Sequence, residues 1–402
     1  MRSRLPLVFI LLTMVLDAMG IGLILPVMPD LIRELEGASL SEAAVWGGLL
    51  TTVFAVLQFL FAPLLGALSD RYGRRPVLFA SLFVLSLDYL VMAVAGTIWL
   101  LLVGRVVGGI ATATQAVAYA YMADISKPEE KAARFGLIGA AFGLGFVLGP
   151  LIGGLLGELG TRAPFYVAAA LAALNLAFGL AILPETVTDR IRRPLEIGRA
   201  NPLGAFRALG RLPGIRRLVV MFFLYQVAFT VYPAIWAYFT QARFGWEPGM
   251  IGVSLASFGI AMALVQGTLV GPLIRRLGER VTVLYGLSFN AFAFLVLATV
   301  SSGMVALLFT PLTALGAVVT PALQGLMSRA VEDDAQGELQ GVLTSAGSLA
   351  MACSPILMTT IFYAFTSAGA PLQLPGAPFL LSMALMGACA VVFMRQNPAI
   401  EA

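Results

Sequence analysis

Two carboxylates, Asp17 and Asp88, stand inside long apolar runs of a 402-residue chain in which only 11% of residues are charged. An ionised group in hydrocarbon is expensive, so an acid placed there marks a polar pathway. If it holds and releases a proton as its surroundings change, it can carry protons across the barrier. The structural alternative for each acid is a lasting ion pair or a hydrogen bond to a helix end. Gly20, Gly22, Pro26 and Pro29 follow Asp17 and loosen the helix around it. Arg105, close to a membrane edge, stays protonated throughout. It can neutralise an acid or grip backbone carbonyls, but it cannot itself carry a proton. The chain has no histidine, so no imidazole is available for the task.

Amides and aromatic rings inside the spans offer a second kind of chemistry. Gln58, Asn175, Gln226, Tyr232, Trp236, Gln266, Asn290, Gln324 and Gln340 can hydrogen-bond a ligand's oxygens or supply apolar area. Singly, each is also an ordinary helix-packing contact. Together, on helices of both halves, they point to a midplane cavity for an amphipathic small molecule. Covalent chemistry is not indicated: there is no histidine, and the two cysteines, Cys353 and Cys389, sit apart in apolar segments with no metal-ligand cluster. No GxxxxGK[ST] element is present to cradle ATP phosphates. No metal or cofactor is expected. The basic residues are dispersed among loops and not gathered on a domain, which argues against a nucleic-acid partner.

The elements that must position these residues are membrane helices. A hydrophobic fraction of 59% and a mean hydropathy of +0.93 lie far outside soluble composition. Continuous apolar runs, rather than period-two alternation, exclude a membrane barrel. Breaks of Gly, Pro and charge divide the chain into twelve spans. They begin near Leu5, Val45, Pro76, Ile98, Phe135, Pro164, Leu218, Met250, Val281, Met304, Leu339 and Pro378. The expected domains are a six-helix bundle over residues 1–184, a basic linker over 185–217 and a second bundle over 218–402. The linker carries eight arginines against Glu185, Asp189 and Glu196. Of 25 basic residues, 21 fall in one alternating set of loops, which puts both termini and the linker in the cytoplasm. The first apolar segment is expected to be retained as a helix, because it contains Asp17 and lacks a small-residue cleavage site.

Between the second and third spans lies Gly66-Ala-Leu-Ser-Asp70-Arg71-Tyr-Gly73-Arg74-Arg75, a tight charged turn. A degraded copy, Gly271 to Arg280, follows 205 positions later, the mark of a repeated architecture. Asp70 is placed to bridge neighbouring helix ends, and Asp124 at the end of the fourth span to join a charge cluster with Arg71, Arg74 or Arg134. Surface bridges of this kind can latch a conformation or contribute almost nothing. In the fifth span, Gly139, Gly143, Gly145, Gly149-Pro150, Gly153, Gly154 and Gly157 form a small-residue face. Such a face admits a neighbouring helix closely, and Pro150 permits a kink.

The Gly66–Arg75 loop, Gly104-Arg105 and the Gly149-Pro150 helix resemble signature motifs of the major facilitator superfamily, the last being its antiporter motif. Leu16-Asp17-Ala-Met-Gly20-Ile-Gly22, Ser86-Leu87-Asp88-Tyr89-Leu90, Arg243-Phe-Gly-Trp246, Pro321-Ala-Leu-Gln324-Gly325 and Gln336-Gly337-Glu338-Leu339-Gln340-Gly341 are similar to the tetracycline/proton antiporters. The resemblance implies an all-α membrane protein with twelve transmembrane helices in two pseudo-symmetric six-helix bundles, the major facilitator fold. It also implies that Asp17 and Asp88 serve proton coupling. Two departures stand out: Asn290 occupies a place where these antiporters carry an acid, and Met262 one where their most closely studied class has histidine.

The expected protein is therefore an inner-membrane secondary transporter, functional as a monomer, that exports a small amphipathic drug in exchange for protons. Asp17, Asp88 and Arg105 serve coupling. Gly66, Asp70, Arg71, Gly73, Arg74, Arg75, Asp124, Gly149, Pro150 and Gly153 serve the conformational cycle. The same fold could instead carry an endogenous metabolite or a siderophore-like compound with protons. Its partners are the substrate, protons and the lipid bilayer.

Overall fold

The computed structural model describes residues 5–112, 114–188, 201, 204–207, 214–332 and 335–395. Among these residues there is no β-strand. The helices are α1 (Leu5–Ile24), α2 (Met28–Glu36), α3 (Leu40–Tyr72), α4 (Arg74–Val94), α5 (Ile98–Ala111), α6 (Thr114–Asp124), α7 (Lys131–Gly157), α8 (Ala163–Ile182) and the short α9 (Gly204–Arg207). They continue as α10 (Arg216–Phe229), α11 (Val231–Phe244), α12 (Pro248–Leu264), α13 (Val270–Thr299), α14 (Gly303–Thr313), α15 (Val319–Arg329), α16 (Gln336–Ala364) and α17 (Ala377–Met394). Of the linker from Glu185 to Arg217, residues 189–200, 202–203 and 208–213 lie outside the described residues. Arg190, Arg192, Arg193, Arg199 and Arg211 are among them.

Among the described residues, eleven helical stretches are long and apolar enough to cross a membrane, and one of them, Pro248–Thr299, runs for 52 residues. That is about twice what a bilayer needs. It breaks at Gly278, whose backbone (φ 76°, ψ 164°) leaves helical space. Divided there, the stretch supplies two spans, in agreement with the twelve that the apolar runs predict. Gly73, between α3 and α4, likewise has a positive φ of 115°. Both turns need the backbone freedom of glycine, and both sit at the same place in the repeat. The span starts follow the sequence closely, the largest difference being α3, which begins at Leu40 rather than Val45. α2, a short helix that ends at left-handed Gly37, is an addition to the expected spans.

The repeat extends beyond the loop that reveals it. The fourth span covers Ile98–Asp124 and the tenth Gly303–Arg329, so both ends are displaced by the same 205 positions. Each is capped at the same place: the Thr97 hydroxyl accepts from the Leu100 N–H at 3.4 Å, and the Ser302 hydroxyl from the Val305 N–H at 3.5 Å. Such caps satisfy donors that hydrocarbon could not.

Two compact units divide the chain. The first comprises Met1–Ala38, Val53–Pro202 and Glu247–Ala256; the second comprises Ser39–Thr52, Leu203–Trp246 and Ser257–Ala402. Lipid is as apolar as the helices, so close packing rather than exclusion of water must hold each unit together. In the first unit, Gly145, Gly149 and Gly153 of α7 bring its backbone onto Val15, Met19 and Leu23 of α1, four residues apart on each helix. A Cβ on Gly149 would stand 2.5 Å from the Met19 carbonyl oxygen. Pro150 meets Gly22 across the same seam. The second unit is cored by aromatic rings: Tyr232 stacks on Phe258 at 5.1 Å and lies 5.6 Å from Phe294, while Trp236 meets Phe379 edge-on at 6.3 Å.

Candidate functional site: an acidic core and a charged helix end

α1 carries Asp17 into the interior of the first unit. There Thr13, Asp17 and Gly20 of α1, Leu82, Leu85 and Tyr89 of α4, and Ala168, Ala172 and Asn175 of α8 line one cavity. The wall is mostly apolar, with four polar groups converging on it. Asn175 is buried and donates from Nδ2 to the Thr13 hydroxyl at 2.9 Å, while its buried Oδ1 has no partner among the described residues. No hydrogen bond or ion pair holds Asp17 among the described residues. A carboxyl with room beside it and no fixed partner can take up and release a proton without breaking a bridge.

Asp88 is arranged differently. It is 3% exposed and pairs with Arg105 of α5. Gly104 and Gly108 flank the arginine on α5, and Cβ atoms there would each lie 2.9 Å from an Asp88 oxygen, so the two glycines form the seat for the carboxylate. Arg105 also donates to the Met92 sulfur at 3.0 Å and stands 4.9 Å above the Phe54 ring. Among the described residues, one Asp88 oxygen and the Arg105 Nε find no hydrogen-bond partner in their buried places. The two acids are thus unequal, one ion-paired and one not.

The Gly66–Arg75 stretch, expected as a turn, is helical as far as Tyr72 and breaks only at Gly73; it builds a charge cluster at one end of the unit. Arg74 pairs with Asp70 one turn before it, donates to the Ser69 hydroxyl at 2.7 Å and reaches Asp124 of α6 at 3.2 Å. Ser69 in turn donates to the Gly66 carbonyl at 2.7 Å. Of the three arginines open to Asp124, Arg74 is the partner; Arg134 pairs with Glu130 at 2.9 Å, and Arg71 is exposed beside the Tyr72 ring. Glu185 completes the cluster. Its carboxylate accepts the backbone N–H groups of Arg74 at 2.9 Å and Arg75 at 3.1 Å. An acid at a helix N-terminus satisfies open donors and complements the helix dipole. Sequence reasoning assigned Glu185 to the linker, and no local signal could place it, because its partners lie 110 and 111 residues away.

The second unit repeats this bridge with the charges reversed. The positions 205 after Asp70, Arg74 and Asp124 are Arg275, Glu279 and Arg329. Glu279, buried on α13, pairs with Arg329 at the end of α15. The cross-helix pair survives while the acid and the base have changed places.

The remaining polar residues divide by exposure. Gln58, Gln266 and Gln340 are exposed; Gln226 and Gln324 are half-buried. Gln266 lies in a π-helical turn, Val265–Leu269, between α12 and α13. Tyr232 and Trp236 sit within the aromatic core of the second unit, and Asn290 has no exposed surface. The Asn290 Nδ2 donates to the Gly316 carbonyl at 3.0 Å and ties α13 to the 3-10 turn between α14 and α15.

A family model described as Major Facilitator Superfamily matches residues 10–241 and 218–401 of this chain. The chain is 43% identical over 367 residues to the tetracycline resistance protein, class C, of Escherichia coli, covering 91% of this chain and 92% of that protein. It is 40% identical over 360 residues to the class G tetracycline resistance protein of Vibrio anguillarum, covering 89% and 90%. Among solved structures, the human organic anion transporter MFSD10 (TETRAN) aligns with a TM-score of 0.71 and 28% identity, over 97% of this chain and 99% of that one.

Proposed function

The chain belongs to the Major Facilitator Superfamily, and on that premise we propose that it exports tetracycline or a related amphipathic drug from the cell in exchange for protons. The observation that carries this reading is Asp17. It is a carboxyl with no ion-pair partner among the described residues, in a mostly apolar cavity on which four polar groups converge, in a chain whose nearly full-length relatives are tetracycline resistance proteins. Protons entering from the outer face neutralise Asp17, and their release to the cytoplasm restores its charge. Alternating exposure of two six-helix bundles, residues 1–184 and 218–402, turns that exchange into export. The Asp88–Arg105 pair sets the field around the carrier, and the exposed amide of Gln58 offers the substrate a hydrogen-bonding group. The protein acts as a monomer in the inner membrane with its termini and linker in the cytoplasm, the arrangement that the distribution of basic residues favours.

The test is growth of a susceptible strain on tetracycline. Expression of the chain raises the tolerated concentration, and collapse of the proton gradient abolishes the cell's ability to keep the drug out. Unchanged sensitivity with the protein present in the membrane contradicts a tetracycline substrate and favours the metabolite or siderophore-like carrier.

A further inference from the structure

Tyr89 follows Asp88 on α4, is 4% exposed and crosses to α1 instead of staying on its own helix. Its hydroxyl fills the space that Gly20 leaves open. A Cβ on Gly20 would fall on the hydroxyl oxygen and 2.8 Å from the ring carbon that bears it. Gly20 is three residues after Asp17, so the hydroxyl rests one turn along the same face of α1. Tyr89 and Asp17 line one cavity. The charged groups whose fields act on the hydroxyl are Asp17 of α1, Arg105 of α5 and Asp88 of its own helix. α8 contributes Asn175 to the cavity wall and no titratable group.

We propose that Tyr89 is a positioning residue for proton exchange at Asp17, with Gly20 as the seat that lets its hydroxyl reach the acid. No hydrogen bond joins the two groups in this structure; in the exchange the hydroxyl closes on Asp17, donating to the carboxylate when it is ionised and accepting from the carboxyl O–H when it is protonated. The phenol keeps its own proton in both states, so it sets how readily the acid is protonated without being a carrier. The inference rests on Asp17 being the proton carrier of the proposed antiport. It adds the group that tunes Asp17 and links it to the Asp88–Arg105 pair.

The experiment titrates the purified protein in proteoliposomes by infrared difference spectroscopy, without substrate. The protonated-carboxyl band that disappears in Asp17→Asn belongs to Asp17. Tyr89→Phe keeps the ring and removes the donor to the carboxylate. The midpoint of that band should therefore move to higher pH by about one to two units, the size expected of a hydrogen bond to a charged group. Gly20→Ala, which displaces the hydroxyl and leaves Tyr89 in place, should move it in the same direction. An unchanged or lower midpoint in Tyr89→Phe overturns the proposal; if that variant does not fold, the same outcome in Gly20→Ala does so. Absence of a titrating Asp17 band in the wild-type protein overturns the proposed carrier itself. Absence of tetracycline export with a normal Asp17 titration counts against the substrate alone.

Discussion

Asp17 and Asp88 make the same demand on hydrocarbon and meet different surroundings, so one substitution should affect them differently. Asp17→Asn removes a titrating group that no ion pair holds. Stability should fall far less than in Asp88→Asn, because no buried partner charge is left behind, while gradient-driven accumulation falls to that of vesicles without the protein. Asp88→Asn strands the Arg105 guanidinium, whose side chain is 11% exposed. Leaving one buried charge unpaired costs about 3–5 kcal/mol, and removing both charges with Arg105→Gln should recover much of that loss. Transport should not return with it. Thermal unfolding in detergent, read beside uptake, separates the two cases; equal destabilisation by both single variants would contradict the assignment. Both acids and the arginine are legible in the sequence, because charges in apolar runs are conspicuous. The pairing is not, since it depends on Gly104 and Gly108 letting α4 settle against α5, and glycines in a membrane helix are too common to single out two. Tyr89 is legible only as a letter in a family-like motif, for its reach is set by the absence of a side chain on Gly20.

Among the elements, apolar length and glycine breaks forecast the helices well, and the contacts between their ends poorly. The Gly278 break is readable as a copy of Gly73 because a turn with positive φ leaves a residue-type signature. The attachment of α2 to α8 leaves none. Arg162, at the start of α8, holds Glu34 of α2 at 3.0 Å and donates to the Ala93 and Ala95 carbonyls at 2.9 and 2.8 Å, while Thr161 donates to Glu34 at 2.6 Å. The Thr161 hydroxyl first, and the Arg162 guanidinium after it, hold the Glu34 carboxyl below its ordinary value of 4.5. A lowered value means that the native state favours the charged form. Its stabilising effect is therefore full above pH 4.5 and lost as the pH falls through the lowered value. Glu34 is half-exposed, so the effect is small. Glu34→Gln should melt slightly below wild type at neutral pH, and the gap should close as the pH falls through the carboxyl's lowered value. A gap that persists in acid would show that the carboxylate's charge is not what ties α2 down.

Across the whole molecule, the 205-residue repeat preserves a cross-helix bridge while exchanging its charges. Arg74 meets Asp124 in the first unit, and Glu279 meets Arg329 in the second. If attraction between the two positions is what matters, Glu279→Arg with Arg329→Glu should recover most of the stability that either single reversal removes. Each single reversal should cost about 1–2 kcal/mol, less than in a fully buried pair because the Arg329 side chain is 65% exposed. A double reversal no better than the singles would mean that Glu279 needs its own surroundings, such as Gly325, which it contacts closely. For topology, a membrane-impermeant thiol reagent should label a cysteine introduced at Asn201 only after the cells are opened; labelling of intact cells would place the linker outside. Inverted membrane vesicles acidified inside decide whether a proton gradient drives a tetracycline-type drug through this chain. Tetracycline should accumulate against its gradient, its addition should release protons from the vesicle lumen, and both signals should vanish in Asp17→Asn. Accumulation that persists without a pH gradient, or that survives in Asp17→Asn at the wild-type level, would contradict this proton coupling.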